Sequence, residues 1–132
     1  MIIWIASYPK SGNTWIRSFL STLLYSKNGE NDFSTLKQIK QFPTRPQFNS
    51  LIKDFKDINE LAGNWIKAQE IINLDGEIKF FKTHHMNCTI NKCNFTNHKN
   101  SLGVIHVVRD PRNVITSIKN HYSFLNISDA IK

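Results

Sequence analysis

The chain is 132 residues long and 15.3 kDa, with 40% hydrophobic and 20% charged residues. This balance excludes disordered and fibrous classes and supplies one domain with one core. Seventeen Lys and Arg against ten Asp and Glu give a net charge of +7, which favours an anionic partner: a nucleic acid, a nucleotide, a phosphate or sulfate ester, or a membrane surface. No apolar run reaches the ~20 residues that a membrane span needs, and the first residues do not read as a secretory signal.

Residues 2–7 (IIWIAS) form a short apolar run bounded by a Pro/Gly loop, the pattern of a buried parallel strand. Residues 14–26 read as an amphipathic helix. Trp15, Ile16, Phe19, Leu20, Leu23 and Leu24 form the expected core face, and Arg17, Ser18, Ser21 and Thr22 lie opposite. Residues 27–48 read as a polar loop with a short helix at 34–41, and Asn49 or Ser50 is placed to cap a second short helix over 51–57. A longer helical pattern covers 59–74 (Leu61, Ala62, Trp65, Ile66, Ile72), weakened by Gly63. After the Asp75-Gly76 turn, residues 77–84 read as a strand, 86–101 as an irregular Asn/Lys-rich loop, and 103–108 (GVIHVV) as a third apolar strand. Asp110 is placed to cap a helix opened by Pro111 and carried through Val114, Ile115, Ile118, Tyr122 and Leu125. Ser128-Asp129 reads as one more helix start. The order predicts an α/β fold with a mostly parallel central sheet, thin at three strands, flanked by helices.

Cys88 and Cys93 are too few for a disulfide scaffold and do not form a C-x-x-C pair, so reduced thiols and a cytoplasmic location are expected. Fifteen asparagines make the sequons at Asn87, Asn94 and Asn126 expected by chance. The lysines are scattered and carry no interleaved aromatic platform, which argues against a nucleic-acid partner.

Three polar clusters sit where the predicted strands end. The first is Tyr8-Pro9-Lys10-Ser11-Gly12-Asn13-Thr14-Trp15, between strand and helix. Gly12 permits a tight turn, and the N–H groups of residues 11–14 would converge at the helix N-terminus, with Lys10 as a movable cation and Ser11 and Thr14 as hydroxyl donors. It is not a Walker A loop, because the lysine precedes the glycine. The second is Lys82-Thr83-His84-His85. Strand alternation puts Lys82 and His84 on one face, behind Ile78 and Phe80, and gives His84 the position of a titratable base entering a cleft. A metal site would need a third ligand, for which Cys88 and Cys93 are the only candidates. The third is Arg109-Asp110-Pro111-Arg112-Asn113, with Ser117 about two turns further on; Arg109 is a fork suited to phosphate oxygens. Each cluster alone also reads as an ordinary loop, a solvated strand end or a helix cap. Their shared place, outside the C-terminal ends of parallel strands, is where open α/β sheets bind ligands.

These residues resemble the PAPS-dependent sulfotransferases of the cytosolic type. YPKSGNTW at 8–15 is similar to the family's 5′-phosphosulfate loop, YPKSGTTW, departing only at Asn13. FKTH at 81–84 is similar to its K-T-H segment, and VVRDPRNVITS at 107–117 to its 3′-phosphate segment. The resemblance implies a P-loop-like sulfotransferase fold and transfer of a sulfonate group from PAPS to a hydroxyl or amine. His84 would be the general base, with Lys10 on the bridging oxygen and Lys82 steadying the sulfonate. Ser11, Gly12, Asn13 and Thr14 would hold the 5′-phosphate, Arg109 and Ser117 the 3′-phosphate, and Trp15 would lie near the adenine or in the core. No metal is required on this reading, since lysines do the charge work. The family's R-K-G-x-x-G-x-W-like segment has no counterpart, so residues 1–132 read as the N-terminal part of a single sulfotransferase domain, truncated at the C-terminus. The acceptor would be a small molecule or glycan shaped by loops 27–60 and 86–101. Phe33, Phe42, Phe48 and Phe55 are candidates for its wall or for core packing. The rival readings are a non-catalytic PAPS- or PAP-binding remnant and a P-loop kinase or NTPase.

Overall fold

In the computed structural model, residues 1–124 and 126–131 are described; Leu125, expected on the penultimate helix, lies outside them. Strand β1 (Ile2–Ser7) leads into helix α1 (Asn13–Tyr25), then α2 (Phe33–Leu36), β2 (Lys40–Gln41), α3 (Ile58–Gly63), α4 (Trp65–Ile72) and β3 (Lys79–Thr83). A hairpin of β4 (Thr89–Ile90) and β5 (Cys93–Asn94) follows, then β6 (Ser101–Val107), α5 (Pro111–His121) and α6 (Ile127–Ile131). The main sheet has the order β2-β3-β1-β6 with every pairing parallel. Trp4 stands between Phe81 and Val104, and Ala6 between Thr83 and His106, so Ser7, Thr83 and Val107 finish at the same edge. The parallel α/β architecture is as expected, with one more strand than the three read from sequence.

The core occupies one face of this sheet. Ile2, Trp4 and Phe81 pack against Phe42, Phe48, Leu61, Ala62, Trp65, Ala68 and Phe95. The Trp4 ring lies 5.5 Å from Phe42 and 5.4 Å from Phe95, and Trp65 lies 5.3 Å from Phe95. Tilted aromatic pairs of this kind add about 0.5–1.5 kcal/mol each beyond their area burial. Phe42 and Phe48 are therefore core, whereas Phe33 is exposed. Behind the aromatics runs a short polar chain. Trp4 Nε1 donates to Ser101 Oγ at 2.6 Å, Thr96 Oγ1 lies 2.6 Å from Ser101 Oγ, and Thr96 donates to the fully buried Gln69, whose Nε2 donates to the Phe95 carbonyl at 2.6 Å.

Several expectations need correction. Helix α1 forms where expected, but inverted. Asn13 and Ser21 are buried, Arg17 is half-buried, and Trp15, Phe19, Leu23 and Leu24 are exposed. The sheet beneath it ends in Ser7 and Lys82, so it receives the polar stripe at i, i+4, i+8 rather than the apolar one. The helix expected at 34–41 is only α2, and the chain goes on into β2. No helix forms over 51–57. A 3-10 turn at Arg45–Gln47, opened by a capping box between Thr44 and Gln47, takes the chain into irregular structure instead. The long pattern at 59–74 is cut in two at Asn64, directly after Gly63. The loop 86–101 contains the β4–β5 hairpin, whose turn residues Asn91 and Lys92 both have positive φ. On β3 the core face is Phe81 and Thr83, not the Ile78–Phe80 side; Ile78 is exposed.

Candidate functional site

The loop after β1 turns through the left-handed region twice, at Lys10 (φ 66°) and Gly12 (φ 100°). A glycine takes that conformation freely; a lysine there costs energy and is uncommon. The first turn of α1 closes on the Gly12 carbonyl, which accepts from Trp15 N at 3.0 Å and Ile16 N at 3.3 Å, and no side chain caps the helix. The unsatisfied N–H groups of that turn and the positive end of the helix dipole therefore face the loop.

Asn13 does not point into the loop. Its Nδ2 donates to the Ile5 carbonyl and to Ser7 Oγ, both at 3.0 Å, and it is buried. Only its backbone N–H is available to a ligand. Thr14 and Trp15 stand exposed on the first turn of α1. Trp15 is 82% exposed, which removes the core reading for it. Ser11 is buried, with its N–H donating to the Tyr8 carbonyl at 3.3 Å.

His84 follows the end of β3 and meets the end of β1. Its Nδ1 is 2.7 Å from the Ser7 carbonyl oxygen and 3.3 Å from Ser7 Oγ. A carbonyl only accepts, so this contact assigns the proton to Nδ1 and leaves the Nε2 lone pair free. Burial pushes the His84 pKa below the ordinary histidine value; the Ser7 carbonyl opposes that, and the positive charges of Lys82 and Arg17 add to it. Lys82 Nζ donates to Gln41 Oε1 at 3.3 Å. Burial and the Arg17 charge lower its pKa as well.

Arg109 reaches back from the end of β6. Its Nη1 donates to the Lys10 carbonyl at 3.2 Å, joining the first and third clusters. Asp110 caps α5 by accepting from Arg112 N at 2.9 Å and pairs with the Arg112 side chain. Ser117 lies half-buried on α5, about two turns beyond Arg109. The structure thus places Lys10 with Arg109, and Lys82 with His84, and it makes no direct contact between those two pairs.

Two cavities flank Tyr8. One, of about 460 Å³, is bounded by Ser7, Tyr8, His84, His85, Met86 and His106. The other, of about 420 Å³, is bounded by Tyr8, Ser11, Arg109, Val114, Ile115 and Ile118. The first lies beside a base, the second beside a guanidinium and the helix-opening loop.

Ser7, Arg17 and Gln41 are the site residues that sequence reasoning missed. The polar repeat Asn13-Arg17-Ser21 was the available signal for Arg17. Ser7 and Gln41 had none, because their roles depend on strand register. Among the described residues, no group of three or more His, Cys, Asp or Glu is placed to hold a metal ion, and no helix is long and apolar enough to cross a membrane.

A family model described as a sulfotransferase domain matches residues 2–130. No curated protein matches the chain.

Proposed function

Because the chain belongs to the sulfotransferase family, we propose that it transfers a sulfonate group from PAPS to a hydroxyl or amine of a small-molecule or glycan acceptor, with His84 as general base. When bound, PAPS supplies the sulfonate and departs as PAP. The donor set fits such a polyanion. Lys10, Arg17, Lys82 and Arg109 surround this end of the sheet, and neither ion pair among the described residues involves any of them.

The roles are those the family resemblance implies, and the positions of the groups support them. His84 Nε2 accepts the proton of the acceptor's hydroxyl or amine, whose freed lone pair attacks sulfur. Lys10 is placed on the loop to take up the charge that grows on the leaving oxygen, and Lys82 steadies the sulfonate oxygens. The N–H groups of Gly12, Asn13 and Thr14 and the hydroxyls of Ser11 and Thr14 hold the 5′-phosphate, Asn13 through its backbone alone. Arg109 and Ser117 hold the 3′-phosphate, and the exposed ring of Trp15 offers a flat apolar surface to the adenine. A cytoplasmic location belongs to the same proposal and is supported by the free thiols of Cys88 and Cys93.

The observation that carries the reading is the His84–Ser7 contact, which aims a neutral imidazole nitrogen outward amid fixed positive charge. The test is calorimetry with PAP alongside transfer of labelled sulfonate from PAPS to a panel of hydroxyl and amine acceptors. Binding with turnover is expected. Binding without turnover under every acceptor would leave a non-catalytic nucleotide binder. Indifference to PAP, with Mg²⁺-dependent consumption of ATP, would replace the reading by a phosphoryl-transfer one.

A further inference from the structure

Arg17 is the one strongly basic side chain on the sheet-facing side of α1, and among the described residues it has no acidic partner. Its Nη2 donates to the Ile39 carbonyl at 2.6 Å and to the Leu36 carbonyl at 3.3 Å, while its Nε is buried without a hydrogen bond. Burial lowers its pKa, yet a guanidinium stays charged. An arginine held between helix and sheet by two carbonyls alone is a costly way to pack a helix. Its position must therefore be explained by what the carbonyls belong to.

They belong to the turn between α2 and β2. Leu36 ends α2, Ile39 is fully buried, and β2 begins at the next residue. β2 is two residues long and pairs with β3 only at Lys40↔Phe81 and Gln41↔Lys82, extended by Phe42 N donating to the Lys82 carbonyl at 2.9 Å. So short an edge strand is marginal by itself. Its Gln41 is nonetheless the residue that accepts from Lys82 Nζ.

We propose that Arg17 is a positioning residue for the transfer: it ties the α2–β2 turn to α1 and so sets Lys82, through Gln41, beside His84. This rests on the sulfotransferase reading. The same guanidinium adds positive charge near His84 and so favours its neutral, proton-accepting form. The titratable groups around His84 are Lys82 from β3, Arg17 from α1, His85 next in the chain, and Tyr8 and His106 across the adjoining cavity. The cationic side chains are unopposed by any acid in this set.

The test compares Arg17→Met, Arg17→Lys and Gln41→Ala in the full chain by kcat, KM for PAPS, the pH dependence of kcat, and NMR titration of the His84 ring. Arg17→Met is expected to lower kcat about 10²-fold, as misplacement of a reacting group does, with a smaller change in KM. Its acidic limb and the His84 midpoint both move to higher pH. Arg17→Lys keeps the charge and leaves both where they were, with part of kcat recovered. Gln41→Ala keeps the tie but breaks the link to Lys82. Its kcat falls about 10-fold or more, and it decides the matter if Arg17→Met fails to fold. Wild-type kcat in Gln41→Ala would overturn the proposal. So would an unmoved His84 midpoint in a folded Arg17→Met variant. A wild-type chain that transfers no sulfonate would instead remove the parent reading, and the NMR titration would still report on Arg17.

Discussion

The Nδ1 of His84 and the carbonyl oxygen of Ser7 lie 2.7 Å apart, bridging the ends of β3 and β1. The contact makes the sheet itself the orienting partner of the proposed base: the donor nitrogen is fixed by a backbone atom of a central strand, and Ser7 is in turn held by Asn13. Replacing His84 by Ala is expected to lower kcat by about 10²–10⁴-fold, the range of a general base, while PAP affinity is retained. Steady-state rates and calorimetry on one preparation check this. A folded variant that still turns over at the wild-type rate would remove His84 from the mechanism.

The pH dependence has a definite sign. His84 and His85 both have pKa values below the ordinary histidine value, for which burial is the leading cause. A base with a depressed pKa remains neutral further into acid, so the acidic limb of kcat is expected below the usual pH of about 6.5. Stability follows the same two groups. Between the folded and unfolded pKa values the unfolded chain binds more protons, so stability rises with pH there. It is fully present above about 6.5 and declines as the pH falls below that. Thermal midpoints across pH 5–8, set against those of a His84→Gln variant, measure it; a flat profile would contradict the assignment.

In the proposed mechanism Arg109 serves both the ligand and the loop, and its tie to the loop is the hydrogen bond it donates to the Lys10 carbonyl. Arg109→Ala is expected to weaken PAP binding by about 10- to 100-fold, the worth of a lost charged hydrogen bond of ~1.5–3 kcal/mol. Arg109→Lys recovers little, because an ammonium cannot form the paired contacts of a guanidinium. Adenosine 5′-phosphosulfate, which lacks the 3′-phosphate, should lose less affinity in both variants, since for it only the tie to the loop is removed. Equal losses for the two nucleotides would place Arg109 elsewhere.

Gln69 tests the core. It is fully buried, donates to the Phe95 carbonyl and accepts from Thr96. Gln69→Leu keeps the volume and strands both partners, so a loss of about 1–3 kcal/mol is expected. Urea unfolding reads it as a lower midpoint at unchanged slope. A change below 0.5 kcal/mol, the range of ordinary surface substitutions (about ±0.5), would show that the network is dispensable.

The strands and the loops at their ends were legible because short apolar runs between turn residues say buried strand, and buried parallel strands leave their loops at one edge. What stayed hidden was orientation. The apolar stripe of α1 is evident from its period, but a period names a face without saying what it meets. The sheet under α1 offers Ser7 and Lys82, and it takes Asn13, Arg17 and Ser21. The strand Lys40–Gln41 carries no pattern, being two exposed polar residues whose pairing depends on Lys82 some forty positions later. For the same reason Gln41 and Ser7 could not be foreseen as neighbours of the site. Lys10, His84 and Arg109 could be singled out as candidates because they stand in loops that begin where apolar runs stop.

The central place of β1 has a consequence for assembly of the chain on the ribosome. Its two neighbours are β3 and β6, so the first strand made waits for partners at 79–83 and 101–107. Non-local parallel pairing closes long loops before it is rewarded, and is slow for that reason. Until β6 has emerged, the run IIWIAS keeps at least one unpaired edge, an uncharged apolar strand open to wrong pairings. Fusing a slow-translating or arrest sequence shortly before Ser101 should therefore enrich nascent chains bound by chaperones, and placing it well after Val107 should not.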